Sequence, residues 1–354
     1  MSPSVAMAAP RRVAVFRALQ LGDMLVATPA LRALRALYPS ARLTLIGLPW
    51  ARELAHRFAW IDDFLPFPGH PHLPERSCEP SLLEAFFAQA RRRRFDLALQ
   101  LHGSGERTNA IVAQLGAQAV GGFYPGGTRC PDPQGFVTWP ERGSETERLV
   151  RLPVHLGAPP PALDLELPLT PGDRLELAAL WRSLGGRPQR YVCIHPGARW
   201  ASRRWPAARF AAIAARLAQR GYAPVLTGGT GDTDALQAFR AAGGEALDAT
   251  VRTSLGSLAA LIAGARLLVC NDTGVSHVAA ATRTPSVVIS SGADVARWRP
   301  RDAARHRVVY HHVDCRPCTH ERCPTAHECA LGVSVERVLD ECLRLLAMES
   351  AHAA

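Results

Sequence analysis

Apolar residues recur along this chain in two alternating rhythms. Short runs that are apolar on successive positions, at 13–19, 42–48 and 96–101, read as strands buried on both faces. Between them runs a helical pattern, through Leu25 and then Leu31, Leu34 and Leu37 three apart, and again at 51–58, 81–93 and 106–115. That spacing turns one side of a helix toward a core. Strands alternating with helices predict parallel βαβ units.

The rhythm breaks over 124–140, where Gly and Pro predict a loop, then resumes with helices at 145–156 and 172–184 around the break at Pro159-Pro160-Pro161. After the Gly185-Gly186 turn a second series begins: a strand at 191–195 and a helix at 205–221 that buries Phe210, Ile213, Ala214, Leu217 and Ala218. Strands at 224–227, 266–270 and 286–290, helices at 255–265 and 275–282, and a closing helix at 335–346 complete it. The pattern predicts two Rossmann-like α/β domains, 1–185 and 186–354, facing each other across a cleft, with the last helix free to pack back on the first domain. Ligands of such sheets gather at the C-terminal ends of the strands.

Composition narrows the chemistry. The 354 residues carry a net charge of +10, and all 41 basic residues are Arg. Without Lys neither a Schiff base nor a Gly-Lys-Ser/Thr phosphate loop is possible, whereas Arg grips phosphate bidentately. The basic residues are spread over both halves without interleaved aromatic residues, which argues against nucleic acid. No run of 18 apolar residues predicts a membrane span, and the first twelve residues lack a signal-peptide pattern, so a cytoplasmic location is expected.

Four places carry candidate chemistry. Gly22-Asp23, at the first strand-to-helix turn ahead of Thr28-Pro29, offers a carboxylate that is either a general base or a helix cap. His195-Pro196-Gly197-Ala198, followed by Arg203-Arg204-Trp205-Pro206, joins a strand end, guanidinium groups and a helix start into a candidate diphosphate site. Thr227-Gly228-Gly229-Thr230-Gly231-Asp232 lets backbone approach a ligand and supplies a carboxylate suited to ribose hydroxyls, or is a simple turn. Asn271-Asp272-Thr273-Gly274, leading to His277, sets an acidic residue at a strand end directly before helix amides.

Their order and spacing, together with Ala279-Ala280-Ala281 and the strand ending at Gly103, resemble glycosyltransferase family 9, the ADP-heptose:lipopolysaccharide heptosyltransferases, from Arg17 to about Leu346. The resemblance implies a GT-B fold, acceptor binding by the first domain, donor binding by the second, and inverting transfer that requires no metal. It implies that Asp23 is the catalytic base and that Gly22 and Thr28 contact the acceptor. It assigns His195, Gly197, Arg203, Arg204, Gly228, Asp232, Asp272, Thr273, Gly274 and His277 to the donor. The family often places Lys before the Trp-Pro pair; here Arg203 and Arg204 stand there and can neutralise the same diphosphate.

The implied partners are ADP-heptose, a lipid-linked Kdo or heptose acceptor, and the anionic inner face of the cytoplasmic membrane, met peripherally. An epimerase of the same architecture, or a non-enzymatic metal- or anion-binding protein, is the alternative. Cys315, Cys318, Cys323 and Cys329 form a separate cluster that fits a structural zinc site, free thiols, or an oxidised or iron-bound form.

Overall fold

A computed structural model describes residues 9–352 and divides the chain into two compact units, Met1–Glu166 and Leu167–Ala354. The first contains β1 (Arg12–Phe16), α1 (Leu21–Val26), α2 (Thr28–Leu37), β2 (Arg42–Gly47), α3 (Ala51–Ala55) and β3 (Asp63–Pro66). It continues through α4 (Pro80–Arg92), β4 (Leu97–Gln100), α5 (Asn109–Ala113), β5 (Ala119–Tyr124), β6 (Phe136–Thr138) and α6 (Glu145–His155). All neighbouring strands are parallel, in the order β3-β2-β1-β4-β5-β6.

The second unit runs α7 (Pro171–Ser183), β7 (Tyr191–His195), α8 (Ala207–Ala218), β8 (Ala223–Leu226), α9 (Thr233–Ala241), β9 (Leu247–Asp248) and α10 (Leu255–Ala263). Then come β10 (Leu267–Asn271), α11 (Gly274–Ala281), β11 (Ser286–Ile289), α12 (Val295–Trp298), β12 (His306–Val309), α13 (Glu328–Leu331) and α14 (Val335–His352). Its sheet order is β12-β11-β10-β7-β8-β9, again wholly parallel. Counted within each unit from its own first strand, both sheets follow the doubly wound order 3-2-1-4-5-6. In each, the first and fourth strands lie side by side and their connections leave in opposite directions, which opens a crevice at the strand ends.

Two expectations are corrected. The unit boundary lies at Glu166/Leu167, not after residue 185. The helix α7 packs on α10, the Trp181 ring meets Tyr191 of β7 edge-on at 5.0 Å, and the Ser254 hydroxyl donates to Glu176. These contacts bind α7 into the second unit. The last helix likewise contributes to the second unit's core, where Leu339, Cys342, Leu345 and Leu346 pack with Val269, Val287 and Val309. Burial of each such side chain stabilises by about 1.5–3 kcal/mol. The stretch 124–140 is not all loop, since Phe136–Thr138 pairs with Gly122–Tyr124 as the edge strand β6.

The candidate donor and acceptor sites

At the first unit's crevice, β1 delivers Arg17 and β4 delivers His102. Arg17 is fully buried; its Nε donates to the Asp23 carbonyl at 2.8 Å and its Nη1 donates to the Leu101 carbonyl. A buried guanidinium thus ties the ends of both strands to the turn that carries Asp23. Gly22 is buried, and Asp23 sits half-exposed in the first turn of α1. The amide of Ala18 donates to His102 Nδ1 at 3.3 Å, which leaves the ring proton on Nε2, 4.0 Å from the Glu75 carboxylate. Burial, with help from Arg17, pulls His102 down to about 3, so the ring stays neutral.

Thr28 does not face a ligand. It is fully buried, its hydroxyl donates to the Leu25 carbonyl at 2.8 Å, and it accepts the Glu166 amide at 3.2 Å. That geometry makes it a joint between α1, α2 and the end of the unit rather than an acceptor contact.

The second unit's crevice is knitted by Asn271. This fully buried side chain donates to the Pro196 carbonyl at 2.8 Å and accepts the Trp205 amide at 2.9 Å. One amide therefore joins the end of β10, the loop after β7 and the approach to α8. His195 closes β7 with Nδ1 3.1 Å from the Thr227 hydroxyl and Nε2 3.9 Å from Asp232. Burial lowers its pKa and the Asp232 carboxylate partly restores it. A Cβ at Gly197 would lie 2.1 Å from Asp232 Oδ1, so a larger residue there would displace that carboxylate. Asp232 in turn accepts the Gly229 amide at 2.9 Å, and Gly228 packs against Leu236.

Around Asp272 the polar groups are unevenly satisfied. Burial raises its carboxyl above the usual carboxylate range, and Arg203, the Ser290 hydroxyl and Arg316 draw it back. Thr273 precedes α11 without a side-chain cap; the Ser276 amide donates to the Thr273 carbonyl at 2.9 Å, and the Gly274 and Val275 amides are left to a ligand or solvent. Arg204 uses its Nε on the Ala198 carbonyl at 2.8 Å and its Nη2 on Gly231 at 3.5 Å. Arg203 binds the Cys318 carbonyl through Nη2, but its buried Nη1 has no hydrogen-bond partner, and neither has the buried Ser291 hydroxyl. Buried donors without partners are uncommon in native proteins, and each calls for a partner from water, an ion or a ligand. His277 is also buried with an unpartnered Nδ1, pulled to about 4 by burial and by His306, and its ring lies toward Trp298.

Of the three forms open to the cysteine cluster, the structure has the free thiols. Among the described residues no three His, Cys, Asp or Glu side chains are grouped to hold a metal. Cys315 is exposed, Cys318 and Cys323 are half-buried, Cys329 is buried, and all four are free thiols. The segment instead uses its backbone. The Cys318 amide donates to Gly292 at 2.7 Å, the Ser202 amide donates to Glu321 at 3.0 Å, and the Ser202 hydroxyl donates to His320.

A family model for glycosyltransferase family 9 (heptosyltransferase) matches residues 85–328. The chain belongs to glycosyltransferase family 9. This family 9 glycosyltransferase is 27% identical to lipopolysaccharide heptosyltransferase 2 of Escherichia coli (strain K12), over 94% of this chain and 97% of that protein. Its fold is that of the family 9 glycosyl transferase from Veillonella parvula, with TM-score 0.80 and 21% identity across 96% and 98% of the two chains. It is also similar to the E. coli ADP-heptose lps heptosyltransferase II structure, with TM-score 0.74 and 24% identity across 96% and 99%. The GT-B architecture and the glycosyltransferase class follow, and the epimerase and non-enzymatic readings give way.

Within the enzyme's second unit, then, His195, Gly197, Arg203, Arg204, Gly228, Asp232, Asp272, Thr273 and Gly274 are gathered at the strand ends where β7 and β10 adjoin. His277 stands one turn into α11 with its ring directed inward. Sequence reasoning missed Ser290, Ser291 and Arg316, because an Arg between two Cys and a Ser pair after a strand carry no distinctive spacing.

Proposed function

We propose that the enzyme transfers a heptosyl group, with inversion, from ADP-heptose to the inner core of lipopolysaccharide. The observation that carries this reading is the unpartnered, buried Arg203 Nη1 and Ser291 hydroxyl beside the uncapped start of α11. Such donors suit a nucleoside diphosphate, whose charge grows as the glycosidic bond breaks. Asp272 and Asp232 take donor hydroxyls, and the His195–Asp232 pair sets the floor beneath them. Asp23 accepts the proton of the acceptor hydroxyl as its oxygen attacks the anomeric carbon opposite the diphosphate. The new C–O bond forms as the bond to phosphate oxygen breaks, and ADP leaves with its charge on Arg203 and the α11 amides.

Incubation with ADP-heptose and a heptose-free core acceptor tests the reading directly. ADP release that requires the acceptor is expected; sugar interconversion without acceptor, or no turnover, overturns it. The acceptor is lipid-linked, and no helix of the described residues is long and apolar enough to cross a membrane. The +10 charge then favours a peripheral position at the anionic inner face of the cytoplasmic membrane. Flotation with anionic vesicles should succeed at low salt and fail at 1 M, where the Debye length is about 3 Å.

A further inference from the structure

Arg316 lies in the cysteine-rich segment, and each of its terminal N–H groups is engaged. Nη1 donates to the Ser290 carbonyl at 2.8 Å and to the His311 carbonyl at 3.3 Å. Nη2 donates to the Ser290 hydroxyl at 3.1 Å and the Ala293 carbonyl at 2.8 Å. A guanidinium has five N–H donors, so only Nε–H is left over. A group so occupied has little to give a phosphate. Its output is elsewhere: the Ser290 hydroxyl that accepts from Arg316 donates onward to Asp272 Oδ2 at 3.4 Å.

The same segment grips the other side of the site. Its Cys318 carbonyl accepts from Arg203 Nη2, and its Cys318 amide donates to Gly292, next to Ser291. Gly292 has φ +116°, and a Cβ there would stand 2.9 Å from the Cys318 Cβ, so segment and loop are in direct contact. Arg203, Ser290, Ser291 and Asp272 are thereby held by one strap that crosses the end of β11.

We propose that Arg316 is a positioning residue of the donor site, which through Ser290 and the 290–293 loop orients Asp272 and the unpartnered donors for the nucleoside diphosphate sugar. The proposal rests on the donor-site reading above. A planar, four-bond fork cannot be replaced by an ammonium point charge, so Lys does not substitute for it.

The test uses the full-length enzyme and four single variants, Arg203→Ala, Arg316→Ala, Arg316→Lys and Ser290→Ala, with the Arg316→Ala/Ser290→Ala double variant. ADP affinity by calorimetry, donor and acceptor KM, and thermal unfolding are measured for each. Arg316→Ala is expected to weaken ADP binding and raise donor KM about tenfold, the scale of a lost charged hydrogen bond, while acceptor KM holds. Arg316→Lys should recover less than half of that loss on a logarithmic scale. The double variant should be no worse than the poorer single variant, because both act through one network.

Unchanged ADP affinity and donor KM in Arg316→Ala, or effects that multiply in the double variant, overturn the positioning role. If Arg203→Ala also leaves ADP affinity unchanged, the donor-site reading itself fails and the proposal falls with it. If Arg316→Ala does not fold, Ser290→Ala and Arg316→Lys decide in its place: donor KM unchanged in both overturns the role.

Discussion

The two units repeat one topology and place different chemistry at the same point of it. In the first, the fully buried Arg17 donates to strand and turn carbonyls, and the histidine of the fourth strand's end accepts a backbone amide from the first. In the second, Asn271 performs the corresponding tie between β7 and β10, and the arginine that follows keeps a buried N–H without a partner. A neutral amide makes the tie in the second crevice, so the tie itself uses no charge. In the first crevice Arg17 holds the turn through Nε on the Asp23 carbonyl and Nη1 on the Leu101 carbonyl, and Asp23 is half-exposed. On the proposed function, the first unit is the proton-accepting half and the second the diphosphate-holding half, each tied by a different side chain.

The sharpest way to break that division is Asp23→Ala. Loss of a general base should lower turnover by about 100-fold or more while ADP affinity stays within about twofold. Near-normal turnover, measured as acceptor-dependent ADP release, would return Asp23 to a helix-capping role. Arg203→Ala should do the opposite. Removing a charge-assisted contact should weaken ADP binding by about tenfold or more, and calorimetry reads it directly.

How far this contrast was legible in the sequence depends on the element. The strand Tyr191–His195 has the bounds its apolar run predicts, and the parallel alternation was visible throughout. The short strand Asp63–Pro66 was not, because two of its four positions are polar or proline and half-buried. The strand Ala119–Tyr124 is interrupted by Gly121-Gly122, and its edge partner Phe136–Thr138 is too short at three residues to register. Asp272 and Thr273 were readable because a strand end and a helix start bracket them. Asn271 was visible as part of a motif, but its role as a tie depends on contacts 66 to 75 positions away, with Trp205, Gly197 and Pro196. The cluster of cysteines drew attention to thiols, whereas the structure uses the Arg and the backbone amides between them.

Acid sharpens the comparison between units. His277 and His306 are held at about 4 by burial, against about 6.5 when unfolded, and His102 at about 3. A depressed histidine stabilises the fold above its unfolded pKa and loses that stability as pH falls toward the folded value. Between pH 6.5 and 5.5 each such histidine should remove about 1 kcal/mol of stability. The second unit, with His277 and His306, should therefore weaken more than the first, with His102. Hydrogen exchange read separately for β10 and β1 amides checks this; equal loss in both units, or a larger loss in β1, would contradict it.

The smallest expected effect separates two adjacent arginines. Arg204 already donates to the Ala198 and Gly231 carbonyls, whereas Arg203 retains a buried Nη1 without a partner. Arg204→Ala removes a clasp between the loops after β7 and β8, so its main cost is structural, about 1 kcal/mol of stability for the lost bonds. ADP affinity should fall by no more than about threefold, well short of the Arg203→Ala effect. The two substitutions remove the same charge, so nonspecific attraction for an anion changes equally in both. Any difference between them therefore measures direct contact. If calorimetry finds Arg204→Ala the more damaging of the two, the phosphate contact belongs to Arg204, and the unpartnered Nη1 of Arg203 serves some other atom of the donor.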